Sequence, residues 1–125
     1  MLKSGENYLE TIYRLSLTNE RVRSVDVAAV LGYSKPSVNR AIGLLKEQGL
    51  IDMPSGKSIV LTKEGLKQAK KLAEKQDNIQ KFLMYTTDVD AEIAKQDAAN
   101  IRYEISDKTY QGILSFIKQV EEYNE

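Results

Sequence analysis

Residues Arg21–Ile51, RVRSVDVAAVLGYSKPSVNRAIGLLKEQGLI, predict two helices joined by a tight turn. Ser24 is a capable N-cap, and Val25, Val27, Ala28 and Leu31 give the first, short helix one apolar face. Gly32 follows directly, the residue that takes positive φ most cheaply where a helix must stop. Ser34 then caps a second helix, with Pro36 in its first turn, where a missing N–H costs nothing. Val38, Ile42 and Leu45 form that helix's buried stripe, widened by Ala41 and Leu44. Lys35, Ser37, Asn39 and Arg40 are left on other faces, near its N-terminal end. A short helix, a glycine turn and a helix with a polar N-terminal half is the layout that enters a DNA major groove. An αα-hairpin with a merely solvated polar face has the same pattern.

The segment behind the second helix separates the two. Gly49 ends that helix, Leu50-Ile51-Asp52-Met53 reads as a short strand, and Pro54-Ser55-Gly56-Lys57 is a turn cluster. Ser58-Ile59-Val60-Leu61 is a second, β-branched strand. A two-stranded hairpin behind a recognition helix is a wing, and Lys57 at its tip is placed for a phosphate rather than a base. The expected domain therefore covers residues 1–62, a winged helix-turn-helix.

Composition narrows the chemistry. At 125 residues the chain is one domain, or two small ones sharing a continuous helix, and 42% hydrophobic content suffices for a core. No run approaches the ~20 apolar residues of a membrane span, and the start, MLKSGENY, has no secretory apolar segment. With no cysteine either, the expected location is the cytoplasm. The absence of histidine removes the commonest metal ligand and the usual general base. No nucleophile elbow or phosphate-binding glycine loop is present. An enzyme is not expected, nor is a small-molecule substrate.

The zero net charge conceals a division. Residues 1–86 carry 14 Lys and Arg against 9 Asp and Glu, whereas residues 87–125 carry 4 against 9. The basic part coincides with the helix-turn-helix, the wing and the helix that follows, where a polyanion would lie.

Outside the central motif, Ser4 starts a first helix with Tyr8, Leu9, Ile12 and Leu15 inward, ending near Thr18-Asn19. Thr62 caps a long helix from about Lys63 to Met84, with Leu66, Ala69, Leu72, Ala73, Ile79, Phe82 and Leu83 inward. Its outer face carries Lys67, Lys70, Lys71 and Lys75. Asp88 or Asp90 caps a further helix with Ile93, Ala94, Ala98, Ile101 and Ile105 inward. Ser106 caps the last, with a stripe of Tyr110, Ile113, Leu114, Ile117 and Val120. Two such helices make a thin core, better completed by a second copy. Two winged modules must also stand about 34 Å apart to read successive major grooves, so a homodimer is expected, with residues 63–125 as its dimerisation domain. The fold class is mainly α: a winged helix-turn-helix DNA-binding domain followed by a helical dimerisation domain.

Four segments together, ENYLETIYRL, VRSVDVAAVLGYSKPSVNRAIGLLKEQGLI, IVLTKEGLKQAKKL and VDAEIAKQDAANIRYEIS, resemble the diphtheria toxin repressor and manganese transport regulator family of metal-dependent repressors. The resemblance runs over nearly the whole chain in order and spacing, and it implies the shorter, two-domain type without an SH3-like domain. It further implies palindromic double-stranded operator DNA as partner. Base reading would fall on Ser34, Pro36 and Arg40, with Lys35, Ser37 and Asn39 beside them.

The family's metal ligands fall, by alignment of flanking residues, on Asn7, Glu10, Gln76, Ala99, Arg102 and Tyr103. One carboxylate remains, and an arginine cannot ligate a metal. The expectation is a regulator without metal or other cofactor. The resemblance also sets Arg102 across from Glu10 as a cation substituting for the metal, unless Arg102 points to solvent and the site has decayed. Two further readings stand beside this one. One is a protein-interaction module that kept the fold without operator binding; the other is a metalloregulator using Asp77, Asp97 or Glu104 as replacement ligands.

Overall fold

The computed structural model describes residues 3–124, with side-chain surroundings from residue 5 onward. Ser4, the expected start of the first helix, lies outside the residues whose side chains are described. Six helices and one small sheet follow in the order α1 (Lys3–Ser16), α2 (Ser24–Leu31), α3 (Lys35–Glu47), β1 (Ile51–Asp52), β2 (Val60–Leu61), α4 (Lys63–Thr86), α5 (Ala91–Glu104) and α6 (Asp107–Tyr123). The chain forms two compact units, one extending to Leu72 and the other starting at Ala73. No described helix is long and apolar enough to cross a membrane.

In the first unit α1 ends at Ser16, earlier than Thr18-Asn19, and its inward face of Tyr8, Leu9 and Ile12 is buried. Those residues join Val27 from α2, Val38, Ile42 and Leu45 from α3, and Leu50, Ile51, Ile59 and Ala69 in one apolar core. Gly32 stops α2 at φ 68, and its N–H closes on the Ala28 carbonyl at 2.9 Å. The N-cap of α2 is Arg23 rather than Ser24, because the Asp26 carboxylate reaches back to accept the Arg23 backbone N–H at 2.8 Å. Val25 and Leu44, expected inward, are 60% and 53% exposed. Each sits one residue off its stripe, and a step of 100° carries it out of the core.

The hairpin is shorter than its β-branched composition suggests. Only Ile51↔Leu61 and Asp52↔Val60 pair, in antiparallel register. Beyond them the backbone finds other partners: the Ile59 N–H donates to Val22 O at 2.7 Å, and the Gly56 N–H closes a turn on Met53 O at 2.9 Å. Thr62 does cap α4, its Oγ1 accepting the Gly65 N–H at 3.1 Å while donating to Gly49 O at 2.7 Å. One hydroxyl thus ends the wing, starts a helix and satisfies the turn after α3.

Along α4 the buried positions are Gly65, Ala69, Ala73, Gln76 and Ile79, not Leu66, which is 37% exposed at the rim of a cleft lined by Ile12, Val22, Ile59 and Leu61. Gly65 is inward because the Leu50 backbone passes against it, and a Cβ there would collide with the Leu50 carbonyl.

The second unit contains the remainder of α4 with α5 and α6. Asp90, not Asp88, caps α5 by accepting the Ile93 N–H at 2.9 Å, and Ser106 caps α6 by accepting that of Thr109 at 3.1 Å. Its core is small: Ile79, Ala98, Ile113 and Ile117, with Phe82, Leu83, Ile101, Ile105 and Tyr110 half-buried around them. Phe82 meets Phe116 edge-on at 5.5 Å. Polar links between α4 and α6 add to it: Asn78 donates to the Tyr110 hydroxyl at 3.1 Å, and Lys81 pairs with Glu121 at 3.1 Å. Lys81, then the Tyr85 hydroxyl, holds the Glu121 carboxyl below its ordinary value, so this exposed bridge is present at neutral pH and lost as pH falls through that lowered value. Ile93, expected inward on α5, is 48% exposed.

Two glycines give opposite expectations. Gly65→Ala should lower stability by about 1–3 kcal/mol, since backbone must yield to the new methyl. Gly43→Ala, in open space inside α3, should raise it by up to about 1 kcal/mol. Urea unfolding of both variants checks this; equal stabilities would mean that α4 does not seat against Leu50 as described.

Candidate nucleic-acid interface and the vacated metal positions

Helix α3 owes its orientation to its apolar stripe. Val38, Ile42 and Leu45 are each at most 4% exposed, which turns Lys35, Pro36, Ser37, Asn39 and Arg40 outward, all exposed. Ser34 caps the helix: its Oγ accepts the Ser37 N–H at 3.3 Å and donates to the Ser37 Oγ at 2.9 Å. The Ser34 hydroxyl is therefore engaged within the helix start, while Ser37 retains its own O–H proton to offer outward. Arg40 lies one turn from Ser37 on the same face, and the unsatisfied N–H groups of the first turn add positive potential there. Lys57 is exposed in the hairpin loop between β1 and β2, in the same unit. Each residue that the sequence nominates for DNA is thus on the surface, in one compact unit.

Tyr33, which sequence reading passed over, belongs with this surface. It is 45% exposed in the turn immediately before the Ser34 cap, and its ring packs on Tyr8 of α1 with centroids 5.8 Å apart. Burial, and then the neighbouring Tyr33, push the Tyr8 hydroxyl above the usual tyrosine value, so it stays neutral beneath the turn. An aromatic in a turn that otherwise holds only glycine and serine was the available signal.

The six positions implied as metal ligands divide between the units. Asn7 and Glu10 stand one turn apart on α1 in the first, and Glu10, only 4% exposed, accepts a hydrogen bond from Arg14 Nε at 2.9 Å. In the second, three of the other four come together. The Arg102 guanidinium, also 4% exposed, donates from Nη1 to Gln76 Oε1 at 2.8 Å and from Nη2 to the Tyr103 hydroxyl at 2.8 Å. Its Cζ lies 4.8 Å from the centre of the Tyr103 ring. Ala99, half-buried, offers no donor atom. Arg102 is therefore not a solvated side chain, and that alternative is overturned: Ala94, Ala98 and Arg102 follow one another at i, i+4 on the buried face of α5.

This set does not fit a divalent ion. Gln76 and Tyr103 direct their oxygens to a guanidinium that is already cationic. A dication about 4 Å from that charge would be repelled by roughly 8 kcal/mol at an effective dielectric of about 20. Among the described residues no group of three or more Asp, Glu, His or Cys is placed to hold a metal ion.

Comparison with known proteins also divides the chain in two, at the start of α4 rather than at Leu72. Residues 1–58 match the family profile "Iron dependent repressor, N-terminal DNA binding domain", and residues 62–124 match "Iron dependent repressor, metal binding and dimerisation domain". The transcriptional regulator MntR of Salmonella typhimurium is 33% identical over 114 residues, 91% of this chain and 72% of that protein. Among solved structures, the manganese regulator SloR superposes with a TM-score of 0.79 at 26% identity, over 91% of this chain and 53% of that one. IdeR of T. acidophilum superposes at 0.82 with 19% identity, over 90% and 53%, a likeness of fold alone. The chain spans about half the length of these solved relatives. A winged-helix unit that exposes the polar half of its second motif helix, joined through α4 to a helical unit matched by a dimerisation domain, places this chain in the iron-dependent repressor family.

Proposed function

We propose that the chain is a sequence-specific transcriptional regulator, a repressor, that binds double-stranded operator DNA as a homodimer and does so without a metal ion. The observation that carries the DNA part is the exposed face of α3, where Lys35, Ser37, Asn39 and Arg40 stand out over a fully buried stripe. Arg40 is the residue to read a guanine O6/N7 edge, and Pro36 and Ser37 shape the approach of the helix start to the groove. Lys35 and Lys57 contact phosphates, supplying affinity that every sequence shares. A protein-interaction module freed from DNA need not keep this cationic helix start.

Metal independence rests on the chemistry at Gln76, Arg102 and Tyr103, where two oxygens serve a guanidinium. SloR is a manganese regulator; this chain keeps the architecture, but at the corresponding positions it lacks the set of donors that a manganese ion needs. The homodimer rests on the second unit. About fifty residues give it a modest core, and apolar side chains stay outside it: Ile93 at 48%, Met84 and Tyr85 at 44% exposed. Ile101, Ile105 and Val120, half-buried, extend the same expectation, while Ala98, Ile113 and Ile117 are already consumed in the unit's own core.

Three measurements test this. A duplex selected from a randomised library by the purified chain should bind equally with EDTA and with added Mn²⁺; failure to select any sequence would sink the DNA reading, and binding that needs Mn²⁺ would sink the metal-free one. Arg40→Ala should cost about 1–3 kcal/mol against the selected duplex and little against a scrambled one. Lys57→Ala should instead weaken both alike and reduce the salt slope by about one. Sedimentation at micromolar concentration should give the mass of a dimer, and a monomeric mass would contradict the assembly.

A further inference from the structure

Helix α5 buries three residues on one face, Ala94, Ala98 and Arg102, and the third carries a charge. A guanidinium removed from water is costly unless its N–H groups are satisfied, and here two of its nitrogens are, by Gln76 from α4 and by Tyr103 from α5 itself. The bond to Gln76 spans 26 residues and joins the two helices, with Arg102 lying against the Tyr103 ring. This cross-link lies within the stretch that the family profile describes as metal binding. A divalent ion in such a place does two things: it supplies positive charge in the interior, and it draws donors from separate helices to one point. The Arg102 guanidinium does both, but covalently attached. It cannot dissociate or be removed by a chelator.

We propose that Arg102 is a resident cation standing in for an exchangeable metal. It is a positioning residue that fixes α5 to α4 permanently and makes the regulator's DNA-binding state independent of metal supply. This rests on the metal-free reading above and adds how that independence is achieved. Regulation, where it occurs, must then act through some input other than a divalent ion.

Three full-length proteins test it by hydrogen exchange over α5 and the 73–86 part of α4, and by thermal melting, in EDTA and in added Mn²⁺, with no DNA needed. Wild type should respond to neither. Arg102→Met keeps an unbranched apolar stem but removes the guanidinium and its charge, so it should exchange at least about tenfold faster in both helices and gain nothing from Mn²⁺. Arg102→Glu offers an oxygen donor beside Gln76 and Tyr103; it should be loosened in EDTA and regain protection with Mn²⁺. That rescue is the readout that an arginine of merely structural role would not produce. Protection in Arg102→Met equal to wild type would overturn the proposal, as would an Arg102→Glu variant indifferent to Mn²⁺. Stoichiometric Mn²⁺ stabilisation of wild type would instead overturn the metal-free reading. Lack of any selectable DNA duplex would overturn only the assignment of DNA.

Discussion

Burial of Val38, Ile42 and Leu45 against α1, α2 and the hairpin is the constraint on which the first unit depends. Each of these side chains contributes about 1.5–3 kcal/mol when taken out of water. The stripe occupies one side of α3 and leaves the helix no rotational freedom. The face that α3 offers to DNA follows from that single orientation. Lys35, Ser37, Asn39 and Arg40 face outward because three neighbours cannot, and the Ser34 cap sets the residue at which the helix begins. Turning α3 by one residue would bury Asn39 and expose Leu45, at a cost of several kcal/mol.

The second unit solves a different problem. Its apolar core is modest, and charge and hydrogen bonding do part of the work that hydrophobic burial does elsewhere. Asn78 with Tyr110 and Lys81 with Glu121 tie α4 to α6 at its surface, while Arg102 with Gln76 ties α4 to α5 inside. The interior link carries more weight, because water screens the exposed one and not the buried one. A buried ionic group contributes little net stability, yet breaking its partnership is costly because it leaves a charge stranded.

Much of the fold was legible in the chain because its signals are local. Gly32, Ser34 and Pro36 dictate a turn and a helix start through backbone stereochemistry that no distant contact alters. Thr62, Asp90 and Ser106 each cap a helix by their own hydroxyl or carboxylate. The candidate reading face could be listed from spacing alone. The misplaced apolar residues share one cause: Val25, Leu44, Leu66 and Ile93 are near a stripe, yet exposed. Hydrophobicity records a residue's preference, whereas the helix turn of 3.6 residues decides whether it can be met.

Residue identity by itself determined the element types, most of the caps, and the absence of histidine and cysteine, and therefore of imidazole and thiolate metal ligands. Tertiary structure alone decided which non-apolar residues the core accepts. Gly65 is inward because the Leu50 backbone passes where a side chain would be, a proximity between positions that sequence does not encode locally. Arg102 reads as a surface residue by composition, yet it completes the i, i+4 series of Ala94 and Ala98 and meets Gln76 from another helix. Charge burial depends on partners brought from afar, and only the assembled helices supply them.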